Sequence, residues 1–414
     1  MSEVVNIPQL RFPEFSGAWE EKKLGEVVRY TKGFAFKSND YVDSGVRIIR
    51  VSDLGAESIK KDNKSIYLSS VNEHLYDKWK IRKNNIVITT VGSNPDLIES
   101  AVGRGIFIIN DNEGLLNQNM LKLENSSQLN NKFVHCFINS PKYIHHIKAI
   151  KRGNANQANI TVKELLDFKL SITTKPEQQK IAAFLTAIDN KIEQLSKKQE
   201  LLDSWKKGLM QQIFSQAIRF KADDGSDFPD WEEKKLGDVA EIVGGGTPPT
   251  AVEKYWNGNI QWFTPTEIKS KYIVNSKRTI TQVGLDTSSA KLLPKGTLLF
   301  SSRATVGEVG IAVQECTTNQ GFQSFIVNKN NEPEFLYNWI IKNKKEFIRR
   351  ASGSTFLEIG KSEIKKIKLH IPALPEQTKI ASFLSSIDSK IEQVGKQLDE
   401  SKQFKKALLQ QMFV

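Results

Sequence analysis

Only two cysteines, Cys136 and Cys316, occur among the 414 residues, too few for a disulfide framework and in keeping with a reducing compartment. No apolar run approaches the ~18 residues that would suggest a membrane span. The start, MSEVVNIPQL, has no basic stretch followed by an apolar one, so a secretory leader is not expected and the cytoplasm is. Phosphate-cradling chemistry is also missing. Gly244-Gly245-Gly246 runs into Thr-Pro-Pro without the Lys-Ser/Thr of a P-loop, and reads instead as a turn after a strand. The histidines (His74, His135, His145, His146 and His370) form no zinc-like set with the cysteines, and His135-Cys136 reads as helix packing. No Asn/Asp-Pro-Pro-Tyr motif of amino-methyltransferases occurs; TPPT is the nearest stretch. PDWEEK sets Asp230 and Glu232 almost side by side, whereas nuclease carboxylates converge on a metal from separate strands. No catalytic or metal-binding residue is therefore expected.

Positive charge, by contrast, is in excess. Lys and Arg number 59 against 47 Asp and Glu, a net charge of +12. A polyanion is the natural partner of such a surface, and nucleic acid is the commonest one.

The chain is also written twice. PEQQKIAAFLTAIDNKIEQ begins at Pro176 and PEQTKIASFLSSIDSKIEQ at Pro375, and from there to Ser215 and Val414 roughly half the positions are identical. A second repeated block, RFPEFSGAWEEKKLGEV (Arg11 to Val27) and DFPDWEEKKLGDV (Asp227 to Val239), opens each half. Between them the halves diverge while keeping a parallel: KNNIVITTVG against KGTLLFSSRA, then NQN at Asn117 against NQG at Asn319. The first half carries extra loop residues, SNPDLIES. A repeat this long means duplicated domains, since solenoid repeats recur at ~20–50 residues. The boundaries read as a variable domain 1–175, a long helix 176–215, a second variable domain 216–374 with a lead-in linker 216–231, and a long helix 375–414. Short β-branched or aromatic runs such as RIIRV, GIFII and QSFIVN predict strands in the variable parts.

In the first long helix Ile181, Leu185, Ile188, Ile192, Leu195, Leu202, Leu209 and Ile213 follow steps of four and three. In the second, Ile380, Leu384, Ile387, Ile391, Val394, Leu398, Leu408 and Met412 do the same. That period predicts a coiled-coil seam. Lys206 and Lys405 fall on it, and Trp205 and Phe404 beside them are expected to cover it where it turns polar. The fold class is thus α+β: two mixed, strand-rich domains separated by two long helices that pair as an antiparallel coiled coil, an internal repeat with pseudo-two-fold symmetry. At ~1.5 Å per residue each helix is a rod of roughly 58 Å, a ruler with unlike ends.

Taken together, the two opening blocks, the central RFKADDGSDFPDWEEKKLGDV and the paired PEQ helices resemble the specificity subunit of type I restriction–modification enzymes along essentially the whole chain. GGGTPPT, YWNGNIQW and SSRATVG resemble segments of that family's second recognition domain; the first half has only YTKGFAFK in place of the Gly-Thr-Pro stretch. The resemblance implies that each variable domain is a target recognition domain reading one half of a bipartite, asymmetric DNA site. It implies that the helices set the spacer and dock two methyltransferase subunits, with restriction subunits joining. The chain itself would be non-catalytic, without a cofactor, inside a complex that methylates adenine N6 and cleaves DNA with ATP; S-adenosylmethionine, ATP and Mg2+ would sit on the partners. Candidate DNA contacts are Lys32, Lys37, Arg104, Asn117, Gln118, Lys151, Arg152, Asn154 and Gln157 in the first domain. In the second they are Arg303, Thr305, Asn319, Gln320, Arg349, Arg350, Ser352 and Ser354, since cations bind phosphate while Arg, Asn and Gln can pair with base edges. The rival reading is a coiled-coil scaffold or interaction protein, which accounts for the seam but not for the charge or the matched polar loops.

Overall fold

The computed structural model describes residues 6–55, 57–61, 63–97, 101–125, 129–138, 140–153, 157–353 and 357–413. They fall into two compact units, 1–195 with 397–414, and 196–396. Each long helix, Lys175–Phe214 and Leu374–Gln411, runs from one unit into the other.

In the first unit a four-stranded antiparallel sheet has the order Val28–Lys32, Met120–Asn125, Ile86–Thr89, Gly105–Phe107. A five-stranded sheet stands with it, its Val46–Ile49 and Gly114–Leu116 strands parallel. Asn131–Ile138 and Pro141–Ile150 are separate helices. They part because Ser140 caps the second, accepting from the Tyr143 amide, and Pro141 supplies its first turn. The second unit repeats the plan. Ala240–Gly244, Gln323–Val327, Leu298–Phe300 and Val309–Ala312 are neighbours in one sheet, and Trp256–Phe263 runs parallel to Cys316–Thr318 in another.

The repeated opening block has one structural job. Glu20–Lys23 pairs antiparallel with Lys169–Ile172, the strand that enters the first long helix, and Glu232–Lys235 pairs the same way with Lys368–Ile371. The Leu-Gly that follows starts a one-turn helix whose leucine, Leu24 or Leu236, is wholly buried.

The PEQ motif explains its own duplication. Glu177 is fully buried and accepts from Nε and Nη2 of Arg11 at 2.7 and 2.8 Å; Glu376 is equally buried and accepts from Arg219 at 3.2 and 2.8 Å. A buried carboxylate survives only with such a paired, hydrogen-bonded partner. Phe12 then meets Phe184 edge to face at 5.7 Å, and Phe220 meets Phe383 at 5.5 Å. Gln178 accepts from the Asn130 amide and Gln377 from the Glu332 amide, both at 2.9 Å, so the glutamine fixes the loop that leads to each domain's helices.

The seam is antiparallel. In the first unit Ile181, Ala182 and Leu185 share a core with Leu408 and Met412; in the second, Met210 and Ile213 share one with Ile380, Leu384 and Ile387. Every predicted seam residue is buried or half-buried. Each helix start also packs on its own domain, Ile181 and Leu185 lying in the core that holds Trp19, Phe133 and Phe137. Where the seam turns polar it is not covered by aromatic rings: Trp205 and Phe404 are 48% and 53% exposed, a correction to the expectation from sequence. The lysines need no such cover. Lys405 forms an ion pair with Asp189 at 2.6 Å, and Lys206 donates to Asp388. A lysine from each unit's domain completes the cluster, Lys132 on Asp189 at 2.7 Å and Lys271 on Asp388 at 3.3 Å.

Burial alone would raise the Asp189 pKa, but Lys132 and Lys405 hold it below the usual carboxylate range. The folded protein therefore releases this proton more readily than the unfolded chain, whose aspartates titrate near ~3.9. The contribution is complete above that value and drains away as pH falls through the lower folded pKa. Asp189→Asn is expected to lose ~2 kcal/mol at neutral pH, less than the ~3–5 of a fully buried pair, and to show a shallower acid loss of stability in denaturant titrations between about pH 2 and 5.

Candidate nucleic-acid interface

In each unit a glycine of the loop after the first sheet strand lies against an Asn-Gln turn. A Cβ on Gly33 would come within 1.8 Å of the Asn117 carbonyl oxygen, and one on Gly245 within 2.0 Å of that of Asn319. The next amides, Phe34 and Gly246, donate to Leu116 and Thr318 at 3.0 and 2.8 Å. YTKGFAFK thus occupies in the first domain the place of GGGTPPT in the second. Tryptophan N–H groups hold both loops. Trp79 donates to the Lys32 carbonyl at 3.0 Å; Trp262 donates to that of Gly246 at 2.9 Å and Trp256 to that of Pro249 at 3.2 Å.

That geometry separates the Asn from the Gln. Asn117 Oδ1 accepts from the Gln118 amide at 2.8 Å and Asn319 Oδ1 from the Gly321 amide at 2.9 Å, so both asparagines shape the turn. Gln118 and Gln320 are exposed at its tip, and Gln320 accepts from the Thr247 hydroxyl.

A second pair of loops meets near the end of each domain. In the first, Ala158–Asn159 pairs with both Arg152–Gly153 and Val91–Gly92, and the Ile160 amide donates to Thr90 at 3.0 Å. In the second, Ser352 and Glu358 exchange backbone bonds at 2.9 Å while the Ile359 amide donates to Ser302 at 2.9 Å. Arg303 and Thr305 are exposed on a tight turn in which Ala304 takes a left-handed φ of 61°, and the Arg303 guanidinium is 3.6 Å from Glu358. Ser352 is exposed, as are Lys32, Lys37 and Gln157. Asn154 and Ser354 lie outside the described residues.

The basic helix ends are largely engaged. Lys148 pairs with Asp96, Lys151 donates to Asn94 at 3.3 Å, and Arg152 forks onto Glu164 at 2.7 and 3.0 Å. Arg349 and Arg350 share Glu346 at 2.5 and 2.6 Å, though Arg349 remains 75% exposed. Arg104 stands apart from the loops. It lines a cavity of about 440 Å³ with Lys132, Asp189 and Lys405, and burial lowers its pKa. Sequence reasoning passed over the tryptophan clamps and Thr247; the tryptophans flanking NGNIQ next to a glycine-rich loop were the available signal.

Nothing in this arrangement suits a metal. No group of three or more His, Cys, Asp or Glu able to hold one occurs among the described residues. Burial takes His135 down to about 3 and Cys136 up to about 12, and does the same to Cys316. No helix among the described residues is long and apolar enough to cross a membrane.

The family model described as the type I restriction modification DNA specificity domain matches twice, over residues 17–203 and 229–400. The chain belongs to that family. It is a DNA-recognition subunit by membership, and the scaffold reading is not favoured. Specificity subunits of this kind are non-catalytic and assemble with other subunits. Among similar proteins, the type I restriction enzyme MjaIX specificity subunit of Methanocaldococcus jannaschii is 39% identical over 44% of each chain. A putative MjaX specificity subunit of the same organism is 24% identical over 98% of this chain and 95% of its own. The crystal structure of a type I restriction–modification system S subunit from M. genitalium superposes with a TM-score of 0.63 at 16% identity, covering 99% of both chains.

The clamp on the glycine loop is open to a direct test. Trp262→Phe removes the indole N–H that Gly246 accepts together with part of a buried ring, and is expected to cost ~2 kcal/mol of unfolding free energy in denaturant titrations. Hydrogen exchange should quicken at the Gly246 amide, with the Phe34 amide of the other unit unchanged.

Proposed function

We propose that the chain reads a bipartite, asymmetric DNA sequence for a type I restriction–modification complex, one half-site per unit. The observation that carries this reading is the duplicated scaffold with unlike loops. The same glycine–turn contact presents Gln118 beside YTKGFAFK in one domain and Gln320 beside Thr247 in the other. Glutamine amides pair with adenine N6/N7, and Arg303 has the fork that suits guanine. Lys32, Lys37 and Arg349, exposed and of one sign, serve the salt-dependent contact to phosphate. Arg104, turned toward a cavity, serves neither.

The paired helices set the number of unread bases between the half-sites and dock two methyltransferase subunits. Trp205 and Phe404 support the docking role. They stand at equivalent places in the two helices and leave about half of each ring uncovered. Two copies of one partner fit two copies of one exposed aromatic anchor. The partners bind S-adenosylmethionine and flip the target adenine out of the duplex for N6 methylation. Restriction subunits add ATP- and Mg2+-dependent cleavage, and the complex works in the cytoplasm.

Exchange of residues 219–374 for the matching segment of another family member is expected to change one half of the methylated sequence and leave the other, read by long-read sequencing of methylated DNA. A change in both halves overturns independent reading. Trp205→Ala with Phe404→Ala should leave the melting temperature within about 2 °C, as exposed substitutions do. The same pair should weaken co-purification of the methyltransferase subunits at least tenfold, as loss of anchors worth ~1.4 kcal/mol together requires.

A further inference from the structure

Arg278 is absent from every reading above, yet its environment is unlike that of the chain's other arginines. It opens the strand Arg278–Ile280 and stands directly across from Trp262. Its guanidinium carbon lies 3.5 Å from the ring centre of Trp256 and 5.7 Å from that of Trp262, while the two indoles meet edge to face at 5.0 Å. A bulge makes this possible. The pairing register slips between Trp256 and Ile260, with Asn257 at a φ of 63°, and the slip sets Trp256 across from Ile280, two residues along the strand from the arginine.

Both indoles are buried, and Arg278 is exposed. Among the described residues its guanidinium has neither an acidic partner nor a hydrogen bond. Most other arginines of the chain are committed, as Arg11, Arg50, Arg82, Arg152 and Arg219 are to carboxylates. Contact with the Trp256 ring occupies one side of the guanidinium and leaves its N–H fork open, with its position restrained before any ligand arrives. The platform also belongs to the recognition loops, since the same two indoles donate to Gly246 and Pro249 beside Thr247 and Gln320.

Among the described residues of the first unit no arginine lies over a tryptophan ring. By strand pairing, Ile48 and Ile66 stand across from one another where the second unit has Trp262 and Arg278. We propose that Arg278, oriented by the Trp256–Trp262 platform, reads a guanine edge through O6 and N7 in the half-site of the second recognition domain. The inference rests on the DNA-reading role proposed above and adds a residue and a base to it.

The test uses the full chain assembled with its methyltransferase subunits. Affinity is measured on the cognate duplex, and on duplexes substituted at each position of the second half-site, at two salt concentrations. Arg278→Lys, which keeps the charge and loses the fork, and Arg278→Ala are expected to weaken cognate binding roughly ten- to a hundredfold. Both should abolish discrimination at one G·C pair while the first half-site stays intact. Trp256→Leu, which leaves the arginine and removes its platform, should relax preference at the same pair. Equal weakening on all duplexes, with a salt slope smaller by about one, would identify a phosphate contact and overturn the base-reading role. Unchanged discrimination at every position would overturn it too. Failure of the unaltered complex to prefer any bipartite site would instead defeat the underlying DNA-reading role.

Discussion

Two carboxylates, Asp189 and Asp388, each meet a lysine of the opposite long helix, and the registration of the paired helices follows from that contact. Apolar heptads alone specify a seam but leave sliding by a heptad open; a half-buried charge that finds its partner in only one register closes it. Lys132 and Lys271 tie the same carboxylates to the domains. One small cluster in each unit thereby holds helix to helix and helix to reader.

The outward logic is built from the same economy. Positions that recur in both units are those at the entry to the long helices: the Arg–Glu clamp, the edge-to-face phenylalanines, the Gln on a loop amide and the two-stranded sheet that joins the opening block to the strand before the helix. Positions that differ lie at the loops. There the scaffold supplies a fixed turn, through Asn117 or Asn319, and leaves the adjoining glutamine and its neighbours to vary. Specificity by this route needs no change of fold, since each base contact is worth only ~1–3 kcal/mol and comes from single exposed side chains.

Much of the architecture was legible in the sequence because its signals are periodic or repeated. The seam spacing located both long helices, and the duplicate blocks showed which segments share a role. The exposed aromatic pair was misread because Trp205 and Phe404 adjoin the seam lysines in sequence, and only the Asp–Lys contacts reveal that those lysines need no cover. The break between Asn131–Ile138 and Pro141–Ile150 follows from local chemistry instead, the Ser140 cap and Pro141 starting the second helix afresh. The candidate contacts were harder. Asparagine is both a base reader and a turn former, and only the backbone bonds accepted by Asn117 and Asn319 show the second use. Arg104 has the chemistry of a DNA contact, and its half-buried place in a cavity with Lys132, Asp189 and Lys405 is not marked by any sequence pattern. The tryptophan platform was illegible for another reason: a bulge brings Trp256 beside Arg278, and no periodicity marks a bulge.

The placement of the Arg–Glu clamp has an evolutionary consequence. The Arg–Glu clamp and the phenylalanine pairs that seat each reader on its long helix lie in, or next to, stretches that recur in both halves of the chain. A crossover falling inside such a stretch imports an unfamiliar middle with its footing already matched. Diversification of the two readers can therefore proceed by cassette exchange, without the core having to be rebuilt each time.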